Sequence, residues 1–478
     1  MNFRMIFNIL GWILLFEAGF LVLPAAVSLL FGEWQTVCAF LLSAGICLVP
    51  GALLAWRRPR VTQLFAKEGF VIVSLSWVIM SLFGCLPFLF SGATSSFIDA
   101  LFEIVSGFTT TGASVFSDVE SLPRGVLFWR AFSHWVGGMG VLVFLMAFLP
   151  LSGGRNMHIM RAESPGPDVS KLVPRVRTTA LILYTIYFVM TLLQFVLLLL
   201  GGMDVFESLC TAFSTAGTGG FGIRNDGLAG VSPYLQIVVT VFMLLFSVNF
   251  NSYYLLLSRR PREAFTSEVK VFFCIVAVAI LLVTAGTFDT LATLGDTVRH
   301  AAFSVASIIS TTGFATVDFA LWSLLPQTVL VLTMFIGACA GSTGGGIKVS
   351  RILLLLKNAV REIRRQISPR EVKKVTLDRR PVADEVAHGV NTYLLVYVLI
   401  FFASLLLVSR DSGDFTTAFT SVAATLNNVG PGLSRVGPMS NYCFFSVPSK
   451  LVLIFDMLAG RLELFPMLVL FSPKTWRR

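Results

Sequence analysis

Four short polar runs, each set between apolar stretches, carry the residue types that could hold a small cation. They are Ser106-Gly-Phe-Thr-Thr-Thr-Gly-Ala-Ser114, Thr215-Ala-Gly-Thr-Gly-Gly-Phe221, Ile309-Ser-Thr-Thr-Gly-Phe314 and Leu426-Asn-Asn-Val-Gly-Pro-Gly432. Aligned on Gly112, Gly220, Gly313 and Gly430 they lie 108, 93 and 117 residues apart, a period that fits an internal structural repeat. Glycine admits φ > 0, so consecutive carbonyls can turn toward one axis. A ring of such carbonyls can replace the hydration shell of a monovalent cation. The candidate ligand positions are Thr110, Thr111 and Gly112; Thr218, Gly219 and Gly220; Thr311, Thr312 and Gly313; and Asn428, Val429 and Gly430. In the second run Gly219 is an alternative register to Gly220.

A second glycine-rich stretch, Gly337-Ala-Cys-Ala-Gly-Ser-Thr-Gly-Gly-Gly-Ile-Lys348, interrupts an apolar span. It is not a phosphate-binding loop, because Ile347 follows Gly346 and Lys348 precedes Val349 rather than Ser or Thr. Unwound backbone at membrane depth must face protein or a cavity, and Gly341, Ser342, Thr343, Gly344, Gly345 and Gly346 would do so, the alternative being a hinge that merely eases close helix packing. Lys348 is expected at the cytoplasmic edge. Arg461 lies within the last apolar span, where an arginine is costly and marks a functional site. Asp456 and Glu463 are the nearby carboxylates that could pair with it. Asp99 and Glu103 precede the first run, either adding negative potential at a pore mouth or forming a solvated helix start. His134 and His300 are isolated and read as structural. The seven cysteines are scattered without Cys-x-x-Cys, and no nucleophile, base or metal constellation suggests an enzyme or a resident cofactor.

The elements that must position these residues are membrane spans. Hydrophobic residues make up 55% of the chain and charged residues 13%, too apolar for a soluble domain. Ten apolar stretches are long enough, or nearly so, to cross a bilayer: residues 6–31, 35–56, 69–90, 125–150, 180–200, 234–257, 271–284, 328–356, 390–408 and 451–471. The first is read as a retained span, because Glu17 interrupts it and no small-residue cleavage site follows. Basic clusters, among them Arg57 to Arg60, Arg155 to Arg177, Arg259 to Arg262 and Lys357 to Arg380, fall after even-numbered spans. Both termini are then cytoplasmic and all four polar runs are outside. The net charge of +10 thus reflects membrane orientation, not nucleic acid binding. Two spans per period give repeats of one orientation, related by an axis along the membrane normal.

The expected fold is an all-α polytopic membrane protein: two N-terminal spans plus four span–pore-helix–loop–span repeats around a pseudo-fourfold pore. Its units are an N-terminal hairpin at 1–67 and repeats at 68–178, 179–265, 266–385 and 386–478.

With these residues in view the chain resembles the Trk/Ktr/HKT superfamily of potassium transporters, specifically the bacterial TrkH/TrkG type. The motifs are Thr-Thr-Thr-Gly-Ala-Ser at 109–114, Ser-Thr-Thr-Gly-Phe at 310–314, Asn-Asn-Val-Gly-Pro-Gly at 427–432, His-Trp-Val-Gly-Gly-Met-Gly at 134–140 and the glycine-rich stretch at 337–348. The resemblance implies K+ uptake through a gated selective pore in the bacterial inner membrane. It implies a homodimer docked to a cytosolic TrkA-like ring that binds nucleotide, with no cofactor on this chain. It also implies that the loop at 341–346 obstructs the pore beneath the filter and that Arg461 faces that loop, setting a barrier. The basic segment from Lys357 to Arg380 is the candidate docking surface, with anionic-lipid contact as its alternative. A proton- or sodium-coupled symporter is the alternative to a channel.

Overall fold

The computed structural model describes residues 1–56, 65–140, 176–288, 293–368, 374–378 and 380–476. Among these, six helices are long and apolar enough to cross a membrane, and a seventh span forms if the bent pair Pro233–Phe246 and Phe250–Leu257 is counted as one. The protein is helical almost throughout. The departure from an all-α chain is a short antiparallel ladder pairing Thr376 with Pro381 and Leu377 with Arg380. Several sequence features lie outside the described residues: the second half of the span at 125–150, the basic loop that follows it, Arg57 to Arg60, and Arg370, Lys373 and Arg379.

Helices Phe3–Leu30 and Trp34–Trp56 form the N-terminal hairpin. They approach through Gly11 and Gly51, where a Cβ on Gly11 would come within 2.5 Å of the Ala55 nitrogen. Lipid offers no hydrophobic drive for helix pairing, so such small-residue contact lets van der Waals packing do the work.

Four short helices, Phe97–Phe108, Val205–Gly217, Leu294–Ile309 and Phe415–Leu426, each follow a long span and end at one of the polar runs. Each begins with a side-chain cap: Ser96 Oγ accepts from Asp99 N at 3.3 Å, Asp204 from Phe206 N at 3.0 Å, Thr293 from Asp296 N at 3.2 Å and Asp414 from Thr417 N at 2.8 Å. Caps of this kind stabilise a helix start by about 1 kcal/mol. The helix after each run opens near a proline, at Pro123, Pro233, Pro326 and Pro448, where the missing N–H costs nothing.

These returning spans are broken, and each differently. The first, Arg124–Gly138, ends at Gly137-Gly138-Met139-Gly140, beyond which the chain lies outside the described residues. In the second repeat, the two helices meet at Ser247 to Asn249 with a bend of 92°. In the third, Leu324–Ile336 and Val349–Ile367 are separated by the glycine-rich stretch. In the fourth, Val447–Arg461 gives way to Phe465–Phe471 through Glu463 and Leu464, both at positive φ. The span at 328–356 is interrupted at the glycine-rich stretch as the sequence implies, whereas the single span expected at 451–471 is corrected to two helices with an unwound joint.

Candidate ion-conduction site

Each of the four short helices ends with the same backbone turn. Thr110, Thr218, Thr311 and Asn428 adopt φ of 55°, 55°, 60° and 55°. The next residue's amide reaches back five positions, from Thr111 to Ser106, Gly219 to Ser214, Thr312 to Ser307 and Val429 to Ala424, at 2.8–2.9 Å. This is a Schellman-type closure whose left-handed position, normally glycine, is taken by threonine or asparagine. A β-branched residue there costs roughly 1–2 kcal/mol, so the surrounding protein must hold it. Two residues on, Gly112, Gly220, Gly313 and Gly430 have φ of 81°, 78°, 84° and 95°. Gly220, not Gly219, therefore occupies the shared register.

The four loops close into a ring. A Cβ on Gly112 would meet the Gly219 carbonyl oxygen at 1.9 Å, one on Gly220 the Thr312 oxygen at 1.9 Å, one on Gly313 the Val429 oxygen at 2.4 Å, and one on Gly430 the Thr111 oxygen at 2.5 Å. Each loop thus abuts the carbonyl just before the aligned glycine of the next. The cycle runs through the repeats in chain order and returns to the first. A cavity of about 160 Å³ opens on the glycine side, lined by Gly112, Gly220, Gly313, Gly430, Arg130 and Tyr442 among others.

On the other side lies the glycine-rich stretch. Gly345 N donates to Thr311 Oγ1 at 2.7 Å and Gly346 N to the Asn427 carbonyl at 3.0 Å. A Cβ on Gly345 would come within 2.3 Å of that carbonyl, so only glycine fits beneath the loops. The stretch is tied to the second repeat through Cys339 N to Ser247 O at 3.0 Å and Phe250 N to Gly341 O at 3.0 Å. Glu268 fastens both ends, accepting from Ala340 N at 2.7 Å and Ser350 N at 3.0 Å. Sequence reasoning missed Glu268, which lies just before the apolar span at 271–284 and in the first turn of its helix, Ser267–Thr287.

Arg461 donates to the Thr343 carbonyl at 2.7 Å and to the Gly137 and Gly138 carbonyls at 2.5 and 2.8 Å. It thereby joins the first, third and fourth breaks. The carboxylates that sequence offered it are engaged elsewhere: Glu463 pairs with Arg351, and Asp456 accepts from Ser404 at 2.7 Å. Lys348, expected at an edge, is buried, and its amine donates to the Gly344 carbonyl. Its left-handed backbone, at φ 83°, turns the side chain back under the loop. A cavity of about 80 Å³ lies against this junction, lined by Gly344, Gly345, Lys348 and Arg461 among others.

Glu103 is fully buried and ion-paired with Arg130 at 2.7 Å, so it is neither a solvated helix start nor a free charge at the mouth. Asp99 pairs with Lys450 at 2.6 Å. His134 is buried against Phe221, with ring centroids 4.2 Å apart, beside Gly219.

Beyond the stretch, helix Val349–Ile367 presents Lys357, Arg361, Arg364 and Arg365 along a groove of about 790 Å³ shared with Lys374 and His388. Lys357 donates to the Thr376 carbonyl at 2.7 Å and Arg361 pairs with Asp384 at 3.2 Å, fixing the helix to the small ladder and the next span.

The TrkH family model, described as a cation transport protein, matches residues 38–270 and 265–478. The Trk system potassium uptake protein TrkH of Escherichia coli (strain K12) is 36% identical over 487 residues, covering 100% of both chains. The corresponding TrkG protein of the same strain is 33% identical, over 95% of each. The crystal structure of the potassium transporter TrkH from Vibrio parahaemolyticus superposes with a TM-score of 0.89 at 33% identity, covering 100% of each chain.

Proposed function

The chain belongs to the TrkH family of cation transport proteins, membrane transporters rather than enzymes, and from that premise we propose that it takes up potassium through one pore per protomer. The relatives named as potassium uptake proteins support K+ as the cargo. The observation that carries the pore is the closed ring of four loops, each pressing its aligned glycine against the carbonyl of the next.

In this reading Thr110 to Gly112, Thr218 to Gly220, Thr311 to Gly313 and Asn428 to Gly430 form the filter. Left-handed residues two apart turn successive carbonyls to one side, where four copies can replace the ion's water. The negative ends of the pore helices point at the same place and favour a cation. The stretch from Gly341 to Gly346 is the gate. It lies across the exit with its amides bonded to the undersides of two loops, and Arg461 pins it while opposing the passage of cations. The protein works as a homodimer in the bacterial inner membrane with cytoplasmic termini. Its basic groove at Lys357 to Lys374 receives a cytosolic nucleotide-binding ring that draws the gate aside.

Purified protein in liposomes tests this, with K+, Rb+, Na+ and Li+ supplied in turn and the ring present or absent. The expected result is ring-dependent flux that favours K+ and Rb+ and reverses at the potassium equilibrium potential. Reversal displaced by a sodium or proton gradient would replace the channel with a symporter, and equal flux of all four ions would remove the filter.

A further inference from the structure

The Arg130–Glu103 pair is the one buried ion pair among the described residues that touches two filter loops at once. Glu103 projects from the first pore helix and Arg130 from the span that follows the first loop. Arg130 Nε donates to Glu103 at 2.7 Å, one terminal nitrogen to the Gly222 carbonyl at 3.1 Å and the other to Ser114 Oγ at 3.3 Å. Glu103 in turn accepts from Ser114 Oγ at 3.0 Å and Val115 N at 3.0 Å. The guanidinium lies over the Phe221 ring, 4.2 Å from its centroid. Ser114 and Gly222 each stand two residues beyond the aligned glycine, so one buried fork fixes the spacing of the outer limbs of loops one and two.

The other limbs are held separately. Ser214 Oγ donates to the Phe221 carbonyl at 2.9 Å, Ser307 Oγ to the Phe314 carbonyl at 2.5 Å, and Tyr442 OH to the Gly430 carbonyl at 2.7 Å. Nine residues before the aligned glycine, where the first repeat has Glu103, the other three have Thr211, Ser304 and Ser421. Neighbouring loops are joined elsewhere by neutral hydrogen bonds, such as Leu228 N to the Ala315 carbonyl at 2.9 Å and Tyr442 N to the Ser114 carbonyl at 2.8 Å. Among the described residues the fourfold filter thus carries a buried ion-paired brace on one side only.

We propose that Arg130 and Glu103 are positioning residues for ion selection: they set the distance between the first and second loops, and with it the fit of the carbonyl ring to K+. The pair also keeps the vestibule neutral, since Arg130 lines the outer cavity and an unpaired cation there would repel the ion. This inference rests on the reading of the loops as a filter.

The test compares Arg130→Lys, Arg130→Gln, Glu103→Gln and the doubly neutral Glu103→Gln/Arg130→Gln with the unaltered protein. K+/Na+ permeability ratios are taken from reversal potentials, and conductance is recorded alongside. Arg130→Gln and Glu103→Gln change the mouth potential in opposite senses, so conductance should move in opposite directions. The permeability ratio should nonetheless fall several-fold in both. Arg130→Lys keeps the charge but has no fork, and should lose discrimination with little change in conductance. Where a lone buried charge prevents insertion, Arg130→Lys and the doubly neutral variant decide. Wild-type ratios in those two overturn the proposal, as does failure of all four to reach the membrane, which would make the pair structural. Gly313→Ala run in parallel separates the two levels: if it too keeps wild-type selectivity, the filter reading itself has failed.

Discussion

The four polar loops and the four breaks beneath them belong to the same repeats, yet the two sets obey different rules. In the loops the left-handed residue, the aligned glycine and the five-residue backward bond recur at matching positions with φ values close to one another. In the breaks one repeat bends by 92°, one unwinds from Gly337 to Lys348, one turns on Glu463 and Leu464, and one stops at a run of glycines. A site that must surround a spherical ion gains from four equal walls. A site that must block and release needs one wall able to move while the others hold it. Where the repeats diverge, Arg461 crosses from the fourth to bind carbonyls of the first and third, while Glu268 fastens the glycine stretch from within its own repeat.

The contrast breaks or sharpens first at Gly313. Its replacement by Ala places a Cβ 2.4 Å from the Val429 carbonyl at a φ of 84°. We expect the K+/Na+ permeability ratio to fall by about a hundredfold, or roughly 2.8 kcal/mol of discrimination. Gly112→Ala and Gly220→Ala should behave alike in the same bilayer recordings, and a tolerant member of the set would end the equality of the walls.

Shortening the stretch between Gly341 and Gly346 should do the opposite, raising ring-independent flux at least tenfold, about 1.4 kcal/mol, while leaving the ratio intact. A loss of selectivity there would merge the two regions into one. Arg461→Ala removes three charge-assisted bonds to carbonyls, and we predict a rise in basal flux of about tenfold, in keeping with 1.5–3 kcal/mol for bonds to a charged group. Liposome uptake at several voltages checks it, and unchanged flux throughout would leave Arg461 a structural tie.

A finer cut is available at threonine. Thr311→Val deletes the acceptor for Gly345 N, worth about 1 kcal/mol or some fivefold in opening. Thr110 Oγ1 has no partner among the described residues, so Thr110→Val should change opening less. Equal effects would dissociate the loop-to-gate bond from gating. The smallest effect concerns the outer surface, where the bond from Asn225, at 2.8 Å, holds the Asp118 carboxyl below its usual range. A depressed pKa stabilises the folded form above the unfolded value, about 3.9, and that contribution is lost as pH falls through the folded value. Thermal unfolding in acid should show slightly less pH dependence for Asp118→Asn than for the unaltered protein.

How much of this could be read from sequence follows the same division. The loops were legible because a tight backbone turn demands glycine, and glycine recurs there at a regular period. The glycine stretch stood out for the same reason. The breaks at Ser247 to Asn249 and at Glu463 to Leu464 were not legible, since neither holds glycine or proline; the second places two non-glycine residues at positive φ, a strain that the surrounding repeats must hold. The ionic partners misled for a related reason. Glu463 is two residues from Arg461, but the joint at Leu464 turns it toward Arg351, which lies 112 residues away. Glu103 looked like a surface charge because its partner lies 27 residues on, in another helix.

The ring closes between the first repeat and the last: Asn428 donates to Thr111 Oγ1 across 317 residues of sequence, and Tyr442 N to the Ser114 carbonyl. During synthesis the first loop is therefore made long before the partner that completes it. A nascent chain carrying three repeats lacks both the fourth wall of the ring and the Asn427 and Arg461 contacts that hold the glycine stretch beneath it. We expect the conducting path to come into being only once the fourth repeat has been made, so that a cell making this protein is not exposed to a half-built, unselective leak. Chains truncated before Asn427 and reconstituted should carry no K+-selective current; selective current from them would mean that three walls suffice.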